Sequence, residues 1–202
     1  MDLWSIEKEL IKEGYPVVCG VDEAGRGPLA GPVCAAAVIL PDVISLPGLD
    51  DSKKLPARER ERLYGIIVKI AVAYGVAYAD SSEIDSVNIL NATFLAMRRA
   101  IDKLAVKPDF VIIDGNRGPV TGYPSRCIVG GDGKSASIAA ASILAKVERD
   151  AYMAGLARAY PGYGFEKHKG YGTKLHYEML AQHGPSDVHR KSFLRKLKDF
   201  GC

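Results

Sequence analysis

Two apolar, β-rich runs lie close together near the start of the chain, and the residues between them cannot form a helix. The runs cover residues 17–21 and 33–40, and the segment DEAGRGPLAGP joins them. This segment contains three glycines and two prolines, and an interior proline removes a helical hydrogen bond and clashes with the preceding turn. We therefore expect two strands with a short, non-helical connection.

The spacing of apolar residues then alternates between helix and strand. It predicts helices over residues 3–13, 57–70, 87–104 and 137–160, and further strands over 72–79, 110–113 and 127–129. After Pro161 we expect a loop rich in Gly and Tyr, followed by one or two helices. These elements predict an α/β fold: a mixed sheet flanked by helices, with a small C-terminal helical extension.

Composition argues against membrane, secreted and zinc-binding proteins. A chain of 202 residues with 48% hydrophobic residues can bury a core without disulfides or a structural metal. Its longest apolar stretch, residues 33–40, is far shorter than the roughly 20 residues that span a bilayer, and the N-terminus lacks a signal-peptide pattern. The cysteines are scattered, which favours reduced thiols: Cys19, Cys34, Cys127 and Cys202. We expect a cytoplasmic protein that does not contact membranes.

Charge is distributed unevenly along the chain. Residues 146–202 contain 11 Lys and Arg against 6 Asp and Glu, together with all four histidines and eight of the 16 aromatic residues. Basic and aromatic side chains that alternate in this way suit a nucleic-acid surface. On composition alone, a solvated basic helix beside a few core tyrosines fits equally well.

Carboxylates follow two of the predicted strands directly. Asp22 and Glu23 come after the first run, and Asp114 comes after residues 110–113. Functional groups in such sheets collect at the carboxyl ends of central strands. Asp22 and Glu23 would point to opposite faces of one strand, so they converge only if the chain turns there, as the following glycines allow.

Converging carboxylates repel one another unless they are protonated or neutralised by a cation. Mg²⁺ or Mn²⁺ is the natural counter-charge, since both are hard ions that prefer oxygen ligands. Taken one at a time, each of these acids would also fit a turn or a helix cap.

The predicted helix over residues 137–160 offers a fourth acid. Ser142, Lys146 and Asp150 are spaced four residues apart and form a polar stripe beside an apolar face. The same spacing fits an exposed ion pair between Lys146 and Asp150.

Two nucleotide-binding motifs fail in context. Gly25-x-Gly27-x-x-Ala30 matches the dinucleotide fingerprint, but a strand rather than a helix follows it, and the preceding carboxylates would repel a phosphate. Gly133-Lys134-Ser135 is not a P-loop, because Ile128 stands where that motif requires glycine.

Residues 25–27, here called the glycine loop, permit a different use. Without side chains at two positions, backbone N–H and C=O groups can approach a ligand such as a ribose 2′-hydroxyl, which both donates and accepts hydrogen bonds. A plain tight turn fits the residues as well. Further along, six residues offer stacking surface and phosphate contacts: Tyr163, Phe165, Lys167, His168, Lys169 and Tyr171.

Together these motifs resemble the bacterial ribonuclease HII family. Seven blocks carry the resemblance, in order: DEAGRGPLAGPV (22–33), DSKKL (51–55), NILNATFLAMRRAI (88–101), VIIDGN (111–116), SIAAASILAKVERD (137–150), YGFEKHKGYGT (163–173) and HGPSDVHRKSF (183–193). The related ribonuclease HIII has Lys where Arg26 stands, so type HII fits better. One departure is Gly130, where the family pattern has Lys, and we expect it to weaken one phosphate contact.

The resemblance implies a single ribonuclease H-like domain over residues 1–202. Its catalytic core would cover about 17–160, and its substrate-contacting helical segment about 161–202. The implied metal ligands are Asp22, Glu23, Asp114 and Asp150. The implied substrate contacts are Gly25, Arg26 and Gly27 at the 2′-hydroxyl and Tyr171 on the sugar.

The implied activity is cleavage of the RNA strand of RNA/DNA hybrids and incision 5′ to ribonucleotides embedded in duplex DNA, by a cytoplasmic monomer. Two Mn²⁺ or Mg²⁺ ions roughly 4 Å apart would activate water and stabilise the leaving 3′-oxygen, giving 5′-phosphate and 3′-hydroxyl ends. Two other hypotheses remain open. A metal nuclease or junction resolvase of the same fold would not depend on a 2′-hydroxyl, and a non-catalytic hybrid-binding module would need no metal.

Overall fold

The computed structural model describes residues 2–41, 46, 48, 49 and 55–194. Residues 51–54 of the DSKKL block, Cys202 and the end of the predicted C-terminal segment lie outside them. The helices are α1 Ser5–Lys12, α2 Ala57–Ile70, α3 Ser81–Asp102, α4 Ala136–Ala159, α5 Phe165–His168, α6 Lys174–His183 and α7 Lys191–Leu194. The strands are β1 Val18–Ala24, β2 Val33–Ile39, β3 Ala73–Ala79, β4 Phe110–Asp114 and β5 Ser125–Ile128.

The strands form one mixed sheet in the order β3-β2-β1-β4-β5. β2 runs antiparallel to both β1 and β3, whereas β1, β4 and β5 run parallel. Val21 of β1 is paired with Ile113 of β4, so the next residues, Asp22 and Asp114, lie side by side at the end of the two central strands.

Helices cover both faces of the sheet, which explains why every residue of β2 is buried. Val33, Ala35, Ala37 and Ile39 pack with α3, and the alternate residues Cys34, Ala36 and Val38 pack with α2 and α4. α4 approaches β1 closely at Gly20, where a Cβ would lie 2.2 Å from the Ser137 carbonyl carbon. The mixed sheet flanked by helices that the sequence predicts is thus confirmed.

Three predicted boundaries were wrong. The fifth strand, expected over 127–129, is Ser125–Ile128. The helix expected from residue 87 begins at Ser81, where Asp80 and Glu83 form a reciprocal capping box, and its regular geometry breaks at Asn88 with φ +66°. The apolar stripe begins only after that break, so periodicity detects only the second part. The first strand does not end before the acids, because β1 continues to Ala24 and pairs Glu23 with Ala35.

The C-terminal helices pack against the end of α4. Their shared core contains Leu29, Ala30, Met153, Tyr163, Phe165 and Leu180. This cluster joins the helical extension to the segment between β1 and β2. Among the described residues, no helix combines the length and apolar character that crossing a bilayer requires.

Candidate active site

Asp22 is the most buried of the candidate acids, at 3% exposure. Strand alternation directs it to the α4 side of the sheet, where the Ser142 hydroxyl donates to it. Its Oδ1 also accepts from the Glu23 backbone N–H at 2.7 Å. Burial raises the pKa of Asp22 well above its ordinary value, and the charges of Glu23 and Asp114 raise it further.

Asp114 reaches the same side of the sheet from the end of β4. Its Oδ1 accepts from the Gly131 backbone N–H at 2.6 Å. A Cβ at Gly131 would lie 3.3 Å from that oxygen and 2.6 Å from Ile138 Cδ1, so only glycine brings its N–H this close. The loop before α4 therefore orients the Asp114 carboxylate.

Glu23 leaves β1 on the opposite face from Asp22, because the strand continues through both residues. The turn comes later than the sequence suggested, at Gly25, where φ is +95°. Glu23 Oε1 lies 3.3 Å from Arg26 Nη1. The two carboxylates nevertheless lie near enough for the charge of Glu23 to raise the pKa of Asp22.

The three polar residues on α4, Ser142, Lys146 and Asp150, do not form one group. Ser142 contacts Asp22, whereas Lys146 Nζ lies 2.8 Å from Asp150 Oδ1 and both side chains are partly exposed. In the structure, Glu23 and Asp114 are close enough to Asp22 for their charges to interact with it, whereas Asp150 forms an ion pair with Lys146. The role of Asp150 as a metal ligand stays a prediction.

The donor set fits a hard divalent cation. Within the described ranges, no three His, Cys, Asp or Glu side chains already stand together as a metal-binding group. The strand-end acids supply only oxygen donors, and burial, followed by the charges of Glu23 and Asp114, raises the pKa of Asp22, so a neighbouring cation would favour its ionised form by neutralising it. A Mg²⁺ or Mn²⁺ ion would supply that neutralisation.

The glycine loop and Tyr171 lie next to each other beside these acids. Arg26 and Gly27 are exposed, and a Cβ on Gly27 would lie 3.8 Å from Tyr171 Cε1. The Tyr171 ring is 44% exposed, which leaves it free to pack against a ligand. Gly25 has no room for a side chain, because its Cβ would lie 1.9 Å from Arg149 Nε.

The other aromatic residues proposed as stacking surface behave differently. Tyr163, Phe165 and His168 are buried in the C-terminal core, so the sequence hypothesis was wrong for them. Lys167 is exposed and Lys169 half-buried, and both retain the predicted use as phosphate contacts.

Two buried arginines escaped the sequence analysis. Arg149 donates to the carbonyl oxygens of Pro32 and Lys169, and Arg190 donates to backbone carbonyls around the glycine loop. Arginine is almost never fully buried unless it is paired, and sequence alone does not show backbone carbonyls as partners.

Comparison with known proteins gives one consistent result. A family model described as Ribonuclease HII matches residues 19–196. A ribonuclease HII from Caldicellulosiruptor bescii is 54% identical over 194 residues, which make up 96% of this chain and 94% of that protein. The family match covers every candidate site residue.

Two solved structures share the fold. The ribonuclease H2 from Pyrococcus horikoshii OT3 matches with a TM-score of 0.72 and 26% identity, over 91% of this chain and 98% of that one. The PCNA:RNase HII complex from Archaeoglobus fulgidus matches with a TM-score of 0.74 and 28% identity, over 86% of this chain and 93% of that one. The expected ribonuclease H-like architecture is therefore confirmed.

Proposed function

This chain belongs to the ribonuclease HII family, hydrolases that cleave the RNA of RNA/DNA hybrids, and from that premise we propose that it also incises duplex DNA 5′ to a single embedded ribonucleotide. The observation that carries the proposal is the position of the glycine loop and Tyr171. Arg26, Gly27 and Tyr171 are exposed, and they lie beside the buried Asp22 and the partly buried Glu23 and Asp114. A ribose that contacts the loop would lie near the carboxylates that hold the catalytic cations.

Asp22, Glu23, Asp114 and Asp150 would hold two Mg²⁺ or Mn²⁺ ions. Such cations, when bound, lower the pKa of an attacking water and stabilise the leaving 3′-oxygen. The acids act as ligands and not as nucleophiles, so no covalent enzyme intermediate forms. Hydrolysis on this course leaves a 5′-phosphate and a 3′-hydroxyl.

The protein itself selects and orients the substrate. Backbone groups of the glycine loop would exchange hydrogen bonds with the 2′-hydroxyl, which deoxyribose lacks. Tyr171 would pack against the neighbouring sugar, and Arg26, half exposed beside Glu23, would contact a phosphate. Ser142 and the Gly131 N–H fix the carboxylates of Asp22 and Asp114.

The test compares two DNA duplexes of one sequence, one of which contains a single ribonucleotide. With Mg²⁺ or Mn²⁺ we expect incision 5′ to the ribonucleotide, no cleavage of the all-DNA duplex, and no cleavage of either duplex in chelator. Cleavage of both duplexes would favour a metal nuclease without ribose recognition. Binding of the ribonucleotide duplex without cleavage in any metal would favour a non-catalytic module.

We also propose that the protein acts as a monomer in the reducing cytoplasm. Cys19 and Cys34 are buried free thiols and Cys127 is an exposed one, which suits a compartment where disulfides do not form. Light scattering at micromolar concentration measures the mass in solution, and a dimer mass would contradict the first part.

A further inference from the structure

Arg190 is fully buried, yet its guanidinium donates to three backbone carbonyls and not to a carboxylate. Nη2 lies 2.6 Å from Gly25 O, Nη1 lies 2.9 Å from Arg26 O, and Nε lies 2.9 Å from Gly31 O. Burying a cation is costly unless its hydrogen bonds are made. Three charge-assisted bonds to one loop satisfy that need and fix the orientation of its peptide groups.

The carbonyl directions determine where the amide hydrogens of the loop point. In a trans peptide the C=O of one residue and the N–H of the next point in opposite directions. The carbonyls of Gly25 and Arg26 point inward to Arg190, so the N–H groups of Arg26 and Gly27 point away from it. Both of those residues are exposed. Arg190 thus turns two donors towards the side from which a ligand would approach.

The backbone around Arg190 is held on both sides. The Arg190 N–H donates to Leu29 O at 2.8 Å, and the Gly31 N–H donates to Val188 O at 2.9 Å. Just beyond, the Lys191 and Ser192 N–H groups donate to the Asp85 carboxylate on α3. The backbone that carries the guanidinium is therefore bonded to α3 and to the segment between β1 and β2, which contains the glycine loop.

The preceding residue, His189, leads to Tyr171 through a second histidine. His189 Nε2 lies 3.0 Å from His176 Nε2, and His176 Nδ1 lies 3.0 Å from Tyr171 O. A carbonyl only accepts, so His176 donates from Nδ1 and accepts at Nε2. His189 Nδ1 accepts from the Ser186 N–H and leaves its Nε2 to donate. With neutral His176 protonated at Nδ1 and neutral His189 protonated at Nε2, every hydrogen bond from Ser186 to Tyr171 has one donor and one acceptor.

We propose that His189 and Arg190 are positioning residues for substrate recognition. Arg190 orients the peptide groups of the glycine loop so that their N–H groups face the ligand, and His189, through His176, fixes the backbone carbonyl of Tyr171. The inference rests on the proposed function and deepens it, because it names the groups that set the preference for a ribose. Neither residue touches the substrate. Each acts through a residue that does.

The first test replaces Arg190 by Lys, which keeps the charge but cannot reach three carbonyls with a planar fork. For the single-ribonucleotide duplex we expect KM to rise about tenfold while kcat falls less than about threefold, as for a lost charged hydrogen bond in binding. With Ca²⁺ replacing Mg²⁺, the ratio of Kd for the all-DNA duplex to Kd for the ribonucleotide duplex should fall towards one.

The matched control is Arg99→Lys. Arg99 also donates to a backbone carbonyl, that of Tyr78, and pairs with Glu83 away from the glycine loop. We expect its KM and its ribose preference to equal those of the unmodified enzyme. A wild-type-like KM and preference in Arg190→Lys would overturn the inference for Arg190, whatever its melting temperature.

A second pair of variants tests His189. His189→Gln retains an acceptor and a donor, whereas His189→Phe retains neither. We expect the Phe variant to raise KM and the Gln variant to restore at least part of the affinity. Equal KM values for both variants and the wild type would remove His189 from the proposal.

Hydrogen exchange separates this inference from the proposed function, because it needs no activity. In Arg190→Lys, amides of residues 25–31 should exchange at least about tenfold faster, while those of β4 stay unchanged. If wild-type enzyme ignores the ribonucleotide but the variant shows this exchange pattern, the proposed function fails and the positioning by Arg190 stands. Unchanged exchange in residues 25–31 overturns the positioning role itself.

Discussion

Asp22 illustrates a conflict between stability and function at a single residue. Burial of its carboxylate raises its pKa, and the charges of Glu23 and Asp114 raise the pKa further, so that the ionised form is destabilised. Asn has nearly the same shape and no charge. For Asp22→Asn we predict a loss of incision of about 100- to 1,000-fold. In chelator, the melting temperature should stay the same or rise by about 2–4 °C, the effect of removing roughly 1 kcal/mol of repulsion.

Incision assays with Mg²⁺ and thermal melts in EDTA measure the two effects separately. Asp102→Asn, an exposed residue at the end of α3, is the control and should change neither quantity. Full turnover by Asp22→Asn at saturating Mg²⁺ would remove Asp22 from the metal centre.

Gly25 is constrained both by its backbone and by its surroundings. Its φ of +95° is unfavourable for any other residue, and a Cβ would overlap Arg149. We predict that Gly25→Ala lowers the free energy of unfolding by about 2–4 kcal/mol and abolishes the ribose preference. Urea unfolding provides the measurement. Gly65→Ala in α2, where a Cβ meets open space, should instead gain about 0.5–1 kcal/mol.

The sequence predicts functional residues whose place in the fold can be inferred from neighbouring residues in the chain. It does not predict residues whose role depends on hydrogen-bond partners far away in the chain. Asp22 and Asp114 could be named because strand ends converge. Arg190 could not, since its acceptors are backbone carbonyls 159 to 165 residues away, which no side-chain pattern records. Tyr163 and Phe165 look like Tyr171 in sequence and differ only in burial.

Among the elements, α1 is joined to α4 by one buried carboxylate. Glu7 is 3% exposed, and its Oε1 accepts from Ser135 Oγ at 2.6 Å and from the Ser137 N–H at 2.9 Å. The carboxylate thus binds free donors at the N-terminus of the helix that carries Ser142 and Asp150.

We predict that Glu7→Ala lowers the free energy of unfolding by about 1–3 kcal/mol, because it leaves these donors buried without an acceptor. Glu9→Ala removes a surface ion pair with Arg126 and should cost less than about 0.5 kcal/mol. Chemical denaturation measures both. A Glu7 variant as stable as the Glu9 variant would contradict this account of the helix start.

Element boundaries were predictable where periodicity and breakers coincide. Both ends of α2 fit the expected 57–70, since Pro56 precedes the helix and the apolar stripe runs to its end. α3 was placed too late because its first turns carry no stripe. The capping pair Asp80 and Glu83, three residues apart, was the available indication of its true start.

At the scale of the whole molecule, buried histidines make stability depend on pH. Burial lowers the pKa of His176 and of His189 to about 4, from 6.5. Both are neutral in the folded state, whereas the unfolded chain takes up protons below pH 6.5. The stability that they support is therefore complete above pH 6.5 and is lost as the pH falls towards 4.

We predict that the free energy of unfolding falls by up to about 3 kcal/mol per histidine over this interval, since one pKa unit corresponds to about 1.4 kcal/mol. Urea titrations at pH 7, 5.5 and 4.5 measure the slope. His189→Phe should flatten it, and an unchanged slope in that variant would assign the acid sensitivity to other groups.

The order of apolar runs along the chain predicted the overall architecture, a mixed sheet flanked by helices, and the structure has that architecture. The packing of the C-terminal helices onto the segment between β1 and β2 did not follow from it. That contact joins parts of the chain far apart in sequence, and local patterns carry no record of which distant surfaces meet.

The bond from Arg190 to Gly25 spans 165 residues, and this separation has a consequence during protein synthesis. A ribosome-bound chain interrupted before residue 190 already contains all four candidate acids but lacks the guanidinium that shapes the glycine loop. On the proposed role of Arg190, recognition of the ribose is therefore completed last, after every acid of the candidate metal centre has been synthesised.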